Sequence, residues 1–486
     1  MLDFIRPITD FLPEVKRPER EPSLKEKLLW TFGALVIFFI LGQIFPAGVS
    51  ISEIQRRGFE RLEILLGSKI GSLITAGIGP IVLSSIFLQL ATGAGFFKLD
   101  LSKPENKRIY QGLQKLLAII LSFLEGIIYV FPMGGGNGYI PILPGFPWMA
   151  VAFQLALGSI VLLYLDEVVQ KYGIGSGISL FIAAGVSQQI FVGALSPIIE
   201  AGSEIPAGLI PQAIYYLLSQ QDVQRAFWTI VPLLFTVLVF LVVVYVEGMK
   251  IELPLAYGRA RGLGARYPIK FLYVSNIPVI LASAVILNFQ LLGSIMSNAH
   301  ITFPFGPFLQ NQPVCSAAQN LFAIGDVPVC GLSYYLQALP SPLLVGGYQA
   351  YLSIIFGNPL VEIPHILIYG IGLVVLCVVF GWFWIESTNM DAASVASQLN
   401  KVGLQIPGFR QDPRITEKIL DRYIPIITIL GSVFVGILAW FADITGALGT
   451  GTGILLTVGI LYQFYEQLAK QQIFEMYPAL NKFVQR

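Results

Sequence analysis

Residues 173–182 read GIGSGISLFI, and residues 449–458 read GTGTGILLTV. Each segment carries glycine at its first, third and fifth positions and continues as an apolar run. Small residues let membrane helices pack closely, so the shared pattern could reflect packing alone. It could also mark an internal repeat, in which two similar halves of the chain each end in such a helix. Both interpretations require that the two runs lie in a membrane.

The composition supports that requirement. The chain has 486 residues, of which 55% are hydrophobic and 12% are charged, and its mean hydropathy is +0.72. Soluble domains carry about 25% charged residues. The sequence therefore predicts an all-α polytopic membrane protein. Ten candidate spans follow from the apolar runs: Leu29–Phe45, Leu73–Thr92, Leu113–Phe131, Trp148–Leu165, Ile174–Leu195, Phe227–Val246, Tyr273–Ile295, Ile363–Ile385, Ile424–Phe441 and Gly453–Phe464.

Ten spans divide into two sets of five. Because five is odd, two such halves lie upside down relative to each other, and inverted repeats form sites or pathways at their interface. We expect an N-terminal half at 29–199 and a C-terminal half at 227–465, joined by an external connection at 200–226.

The positions of Lys and Arg predict the orientation. They cluster before residue 28, at 98–115, 250–270 and 401–422, and after 470. With ten spans these stretches share one side, which the positive-inside rule makes cytosolic. We therefore expect a cytosolic N-terminal segment at 1–28, either an interfacial amphipathic helix or a soluble tail. Loops 247–270 and 386–423 and the tail 466–486 are expected on the same side.

The chain has no Lys or Arg between Lys270 and Lys401. Basic loops at both ends of this gap require an even number of crossings, and Pro340 and Pro342 interrupt the apolar run 334–357. Residues 296–362 are therefore predicted to form an external loop containing a hairpin-like piece. Cys315 and Cys330 lie in it, where a disulfide is possible and two free thiols are the alternative.

The segment before the second span is unusual. RGFERLEILL (57–66) is charged and precedes a glycine-rich stretch, and residues 46–72 fall outside although they carry four basic residues. A re-entrant half-helix in a water-filled cavity and a helix lying flat on the outer surface both fit this pattern. Glu125, inside the third span, is expected to have a functional role or a polar partner. Asn288 in the seventh span lies at a similar depth.

Four long runs resemble the SecY family, the channel subunit of the Sec protein translocon, in its archaeal and eukaryotic branch. They are GSLITAGIGPIV (71–82), KYGIGSGISLFIAAG (171–185), YPIKFLYVSNIPVIL (267–281) and GALGTGTGILLTV (446–458). The resemblance implies ten spans in two inverted five-helix halves around an hourglass pore, with a re-entrant plug helix on the external side.

The resemblance also assigns residues to these features. The plug is expected at about 60–70, comprising Glu60, Arg61, Leu62, Glu63, Ile64, Leu65, Leu66, Gly67, Ser68, Lys69 and Ile70. The pore ring is expected at Ile78, Val82, Ile174, Ile178, Ile280 and Leu456. Within the ring, residues 78 and 82 and residues 174 and 178 are spaced i, i+4 and are predicted to share a helix face.

The family also has a polar cluster across a lateral gate. Here the resemblance assigns Glu125, Asn288 and Ser84 to it. The position in the second span that is usually hydroxylic is Leu83, so the third partner of the cluster stays open. Ribosome contacts are implied for Arg259, Arg261 and Arg410 in the cytosolic loops.

The resemblance implies a passive, gated channel that translocates unfolded secretory polypeptides and releases transmembrane segments sideways into lipid. The expected partners are a SecE-type single-span subunit, a small beta subunit, the translating ribosome, signal peptides and nascent polypeptides, and the lipid bilayer. No metal or cofactor is expected. The expected location is a membrane crossed several times with both termini cytosolic, specifically an archaeal plasma membrane.

Two other classes compete with this interpretation. A secondary transporter with inverted repeats for a small solute would need converging polar groups near the midplane, where this sequence has isoleucine and leucine. An intramembrane protease would need a nucleophile or metal motif. Ser176 lies in a glycine turn without the full motif, and the two histidines, His300 and His365, form no metal-binding pattern. No enzyme activity is expected.

Overall fold

The computed structural model describes residues 12–20, 22–50, 71–93, 104–131, 140–199, 205–257, 264–274, 278–286, 332–336, 338–339, 342, 347–388, 390–401, 404–405 and 413–476. Within these ranges the chain is mostly helical, as predicted. The helices are α1 (Leu24–Leu41), α2 (Gly79–Gly93), α3 (Pro104–Val130), α4 (Trp148–Tyr172), α5 (Gly177–Leu195), α6 (Leu209–Leu218), α7 (Val223–Glu247), α8 (Leu332–Tyr335), α9 (Tyr348–Gly357), α10 (Pro359–Ser387), α11 (Ala392–Lys401), α12 (Pro413–Ile444) and α13 (Gly451–Met476). Residues 278–286 are also helical.

Six of these helices, α3, α4, α5, α7, α10 and α12, are long and apolar enough to cross a membrane. Their outer surface confirms this environment. On α4 an apolar stripe faces outward, with Met149 67% exposed and Phe153 52% exposed, while Leu155 and Leu162 on the inner face are fully buried. A soluble helix would carry charges on that outer face. The protein is therefore a polytopic membrane protein; the total of ten spans stays a prediction.

Two of the buried hydrophobic clusters position the site. The N-terminal core surrounds Phe38, Leu162 and Phe181 on α1, α4 and α5, and the C-terminal core surrounds Val239, Leu373 and Ala439 on α7, α10 and α12. The cores meet where α5 packs against α13, and α10 also contacts α2. The last helices of the two predicted halves therefore lie side by side.

Two predicted spans begin later than expected. The second was predicted from Leu73, but α2 starts at Gly79, and the fifth was predicted from Ile174, but α5 starts at Gly177. Positive φ angles interrupt the backbone just before each helix, at +54° for Gly77 and +71° for Gly175. Left-handed conformations of this kind do not continue a helix.

This later start corrects one argument about the ring. Ile174 lies in the turn before α5, so the prediction that it shares a helix face with Ile178 is wrong. Ile78 keeps its relation to Val82, because the Val82 amide donates to the Ile78 carbonyl across 3.0 Å at the start of α2.

In the described residues of the apolar run 334–357, the helices are limited to α8 and α9, which have 4 and 10 residues. At 1.5 Å per residue, neither can cross a hydrocarbon core of about 30 Å. That residues 296–362 form an external loop, interrupted near Pro340 and Pro342, stays a prediction.

A small sheet was not predicted. Strands β1 (Lys250–Tyr257) and β2 (Gly264–Lys270) pair as an antiparallel hairpin, with Lys250 opposite Lys270. The short strand β3 (Leu404–Gln405) pairs with β1 on its other side, giving the order β2-β1-β3. The two loops predicted to be cytosolic are therefore joined in one sheet.

Residues 12–20 are not helical and contact Lys115 of α3 and the last turns of α4. Glu167 accepts a hydrogen bond from the Val15 amide at 3.2 Å, and the Tyr172 hydroxyl donates to the Lys16 carbonyl at 2.9 Å. Lys171 binds the Glu14 carboxylate at 2.8 Å, and this contact holds the pKa of Glu14 below its usual value. This part of the N-terminal segment is therefore a non-helical stretch bound to α4 by hydrogen bonds, and it is not an amphipathic helix.

Candidate site at the two glycine-rich turns

The turn before α5 is held by side chains from two other helices. The Ile174 amide donates to the Thr31 hydroxyl of α1 across 3.1 Å, and the Ile178 amide donates to the Asp166 carboxylate of α4 across 2.9 Å. Thr31 in turn donates to the Lys27 carbonyl at 2.8 Å. Both isoleucines that the fifth span was predicted to contribute to the ring are thus bound through their own amides.

Asp166 is buried, with 7% of its surface exposed, and its carboxylate collects several donors. Its second oxygen accepts from the Gln170 side-chain amide at 2.8 Å, and the Ser176 hydroxyl approaches the first at 3.4 Å. A buried carboxylate is costly unless it is bound in this way. Gly177 fits the site because a Cβ there would lie 2.6 Å from the Asp166 Cα.

The turn before α13 is held in the same manner. The Leu448 amide donates to the Thr236 hydroxyl of α7 at 2.8 Å, and the Gly451 amide donates to the Asp443 carboxylate of α12 at 2.7 Å. Thr236 donates to the carbonyl four residues earlier, as Thr31 does. The second Asp443 oxygen accepts from the Tyr369 hydroxyl of α10 at 2.7 Å.

The six predicted ring residues are all described, and they differ from their neighbours in burial. Ile280 and Leu456 are only partly buried, whereas Val279 and Leu455 beside them are fully buried in the C-terminal core. Ile78, Val82 and Ile178 are also partly buried, and Ile174 is 3% exposed.

Ile78 and Ile178 pack against the same N-terminal core, so the structure brings these two together. That all six line one axis remains a prediction.

Glu125 on α3 lies against the first turn of α2. A Cβ added to Gly79 would stand 3.2 Å from its carboxylate oxygen, so the carboxylate faces the N-terminus of that helix. A negative charge is favoured there by the helix dipole.

Ser84 is fully buried and donates to the Ile81 carbonyl of its own helix at 2.8 Å, while Ser85 accepts from Gln114 on α3. Ser85 and Gln114, which the sequence interpretation did not pair, link α2 to α3. A bond between Ser84 and Glu125 stays a prediction.

Several predicted residues lie outside the described ranges. These are the plug residues 60–70, Asn288, Arg259, Arg261, Arg410, Cys315 and Cys330. The described strands place the neighbours of the arginines: β1 and β2 flank the connection that contains residues 259 and 261, and β3 precedes residue 410. Lys270 at the base of this sheet binds Glu466 of α13 at 3.1 Å.

His365 has a structural environment. It is 1% exposed, and its Nδ1 lies 3.2 Å from the Glu362 carboxylate, which also accepts from the Tyr334 hydroxyl at 2.7 Å. Burial and this carboxylate raise the pKa of Tyr334. No group of three potential metal ligands occurs among the described residues. The network fixes α8 to the start of α10.

Sequence reasoning missed the four side chains that hold the turns: Thr31, Asp166, Thr236 and Asp443. A signal was present for the two acids, because each ends an apolar span and is followed within a few residues by a glycine-rich stretch. An ionisable residue in that position carries a default expectation of function. The two threonines carried no such signal, because a threonine hydroxyl in a helix can donate its hydrogen bond to a backbone carbonyl of the same helix.

Comparison with known proteins gives consistent results. The SecY family profile matches residues 72–465. The chain is 43% identical to the protein translocase subunit SecY of Methanocaldococcus jannaschii over 482 residues, covering 99% of each protein.

Two solved structures match nearly the whole chain. One concerns the plug domain of SecY, described as stabilising the closed state of the translocation channel and maintaining a membrane seal. It is 41% identical with a TM-score of 0.75, and the match covers 98% of this chain and 99% of that chain. The other is Sec61 in the canine ribosome-channel complex from the endoplasmic reticulum, 41% identical with a TM-score of 0.74 and the same coverage.

Proposed function

The chain belongs to the SecY family, and on that premise we propose that it is a gated protein-conducting channel. It carries unfolded secretory polypeptides across a membrane and releases transmembrane segments sideways into lipid. The observation that carries this function is similarity to a SecY over 99% of both chains, together with the match to translocation-channel structures over 98% of this chain. The family is one of channels and not of enzymes.

The apolar ring is the proposed barrier. Branched apolar side chains at Ile78, Val82, Ile174, Ile178, Ile280 and Leu456 offer water and ions no hydrogen-bonding partner, so a narrow passage between them stays dry. The partial burial of five of these residues supports the assignment, because each retains surface beside a packed core. A passing chain can displace such side chains without being bound by them.

The plug and the gate complete the mechanism. Residues 60–70 act as the stopper on the external side, in line with the sealing role described for the plug domain of the related SecY. The contact between α2 and α10 is the proposed seam through which apolar segments leave. Glu125 supports this seam by its place at the start of α2, and Asn288 and Ser84 are its proposed partners.

The partners follow from the family. Sec61 in a ribosome-channel complex is similar to this chain over nearly its whole length, which supports ribosome binding. The sheet formed by β1, β2 and β3 is the proposed docking surface, with Arg259, Arg261 and Arg410 as phosphate-binding groups. A SecE-type subunit and a small beta subunit are proposed to complete the complex. Both termini are proposed to be cytosolic, in an archaeal plasma membrane.

A photo-crosslinking amino acid at Ile178 tests the function. In the reconstituted complex, an arrested secretory chain still attached to its ribosome should form an adduct at this position. The matched control is Phe153, which is also apolar but lies on the outward stripe of α4 with 52% exposure, and which should crosslink to lipid instead. Equal capture of the arrested chain at both positions, or at neither, would contradict the proposed pore.

The secondary-transporter alternative finds no support in the comparisons. It differs in its expected behaviour as well, because saturable uptake of a small solute by liposomes would be its signature. The Ile178 adduct with a ribosome-bound polypeptide is not expected of such a transporter.

A further inference from the structure

The anchoring of α5 differs from ordinary helix capping. Ser176 occupies the N-cap position and is a residue type that normally caps its own helix. Its side chain makes no capping bond here and instead donates to Asp166. The amide of Ile178 is satisfied by that same carboxylate, which belongs to α4 and lies 12 positions earlier in the chain.

The Thr31 contact is equally specific. Its hydroxyl uses its donor on the Lys27 carbonyl and its acceptor on the Ile174 amide. Gly173 leaves room for this approach, because a Cβ there would be 2.8 Å from the Thr31 oxygen. The turn is therefore held between α1 and α4, and each of the two contacts ends on a residue assigned to the ring.

We propose that Thr31 and Asp166 are positioning residues of the channel constriction: they hold Ile174 and Ile178 by the backbone at the height where the ring closes. This inference rests on the proposed function. Neither residue touches the translocating chain. Each restricts the backbone from which a ring side chain projects, so the ring keeps its diameter while its side chains bend around a peptide.

The hydrogen bonds from Thr31 and Asp166 hold different parts of the turn. Ile174 precedes the helix, in a turn where Gly175 has a φ of +71°, so no helical hydrogen bond fixes its amide. The Thr31 bond fixes that amide instead. Ile178 lies in the first turn of α5, and the Asp166 bond fixes the helix start against α4, which packs on α1.

The ion leak around an arrested secretory chain measures this role. In vesicles containing the full-length channel in its complex, the arrested chain displaces the stopper and leaves the ring as the remaining seal. Thr31→Val removes the hydroxyl that accepts from Ile174 and keeps the side-chain shape. Losing a partly buried hydrogen bond of about 1 kcal/mol shifts a local equilibrium roughly fivefold, so efflux should rise by about that factor.

Thr428→Val is the matched control. Thr428 is 2% exposed and donates to the Ile424 carbonyl four residues earlier, as Thr31 does to Lys27, but in the described part of the chain its hydroxyl accepts no backbone amide. Its efflux should equal that of the unmodified channel. Thr31→Ser retains the hydroxyl and should restore the seal. A merely structural role for Thr31 would give equal effects in the two valine variants.

Two further variants keep the outcomes separate. Asp166→Ala removes the acceptor of Ile178 and should also raise efflux, which provides a second test if Thr31→Val fails to assemble. Ile178→Ser alters the ring itself. If Ile178→Ser leaks and neither Thr31→Val nor Asp166→Ala does, the positioning inference is wrong and the constriction stands. If Ile178→Ser does not leak, the constriction itself is wrong.

Discussion

The turns before α5 and α13 are built on one plan with different attachments. Each is held by a threonine from an earlier helix and by an aspartate from the preceding long helix. In the described part of the chain, the amides of the N-terminal turn are bound by side chains of α1 and α4, and Gly175 in this turn packs against Phe464 of α13. The C-terminal turn is additionally bound to α10, because Tyr369 donates to Asp443.

That difference indicates which of the two turns follows movement of α10. α10 also contacts α2 at the proposed seam, so movement of α10 acts directly on the turn before α13. The turn before α5 has no hydrogen bond to α10 in the described part of the chain and packs against α13 instead. We therefore expect the C-terminal turn to respond more directly to movement of α10 than the N-terminal turn does.

The largest expected effect is that of Asp443→Ala. It removes the acceptor of both the Gly451 amide and the Tyr369 hydroxyl, which belong to two different elements. Leaving buried donors unsatisfied costs about 3 kcal/mol of unfolding free energy in total. Asp166→Ala should cost less, about 2 kcal/mol, because Gln170 lies on the same helix and can turn to another partner. Denaturation of the purified complex in detergent measures both, and the reverse order would break the comparison.

Gly177→Ala tests whether close approach is required at the first turn. The new Cβ would meet the Asp166 Cα at 2.6 Å, and backbone cannot move aside cheaply. We expect a loss of about 2 kcal/mol of stability, typical of overpacking. The control is Gly33→Ala on α1, where nothing lies within 4 Å of the added Cβ and stability should hold or rise slightly. Equal thermal midpoints for the two variants would show that the approach is not tight.

Tyr369→Phe removes only the bond between α10 and Asp443. The expected cost is about 1 kcal/mol, and the gate should open for weaker signal sequences because one bond fewer resists it. Translocation of a substrate with a shortened apolar signal measures this. Tyr335→Phe is the control, since Tyr335 also packs near the start of α10 but contributes ring contacts there. If Tyr369→Phe accepts the same substrates as the unmodified channel, the bond between Tyr369 and Asp443 does not resist opening of the gate.

The membrane class and most span positions could be predicted from the sequence, because apolar runs of 18 or more residues are characteristic of membrane-spanning helices. The two prolines and the gap in basic residues predicted that 334–357 would not span, and the helices described there are too short to do so. The prediction failed at the helix starts near Ile78 and Ile178, because a glycine-rich stretch is compatible with both a helix and a turn until its φ angles are known.

The sequence alignment of the two glycine-rich segments is displaced by two residues from the alignment of the two helix starts. In sequence, Gly175 matches Gly451, whereas the helices start at Gly177 and Gly451. The features that the two turns share are the acceptors that reach them from distant helices. Those contacts join positions 143 and 212 residues apart, and a single sequence carries no information about such pairs.

The β1–β3 pairing has a mechanical consequence. β1 continues from α7, β2 leads toward the helical segment 278–286, β3 lies between α11 and α12, and Lys270 ties the sheet to α13. A large particle bound to this sheet is therefore connected to several helix ends at once. Any torque that it exerts is therefore delivered to several helices of the C-terminal half together.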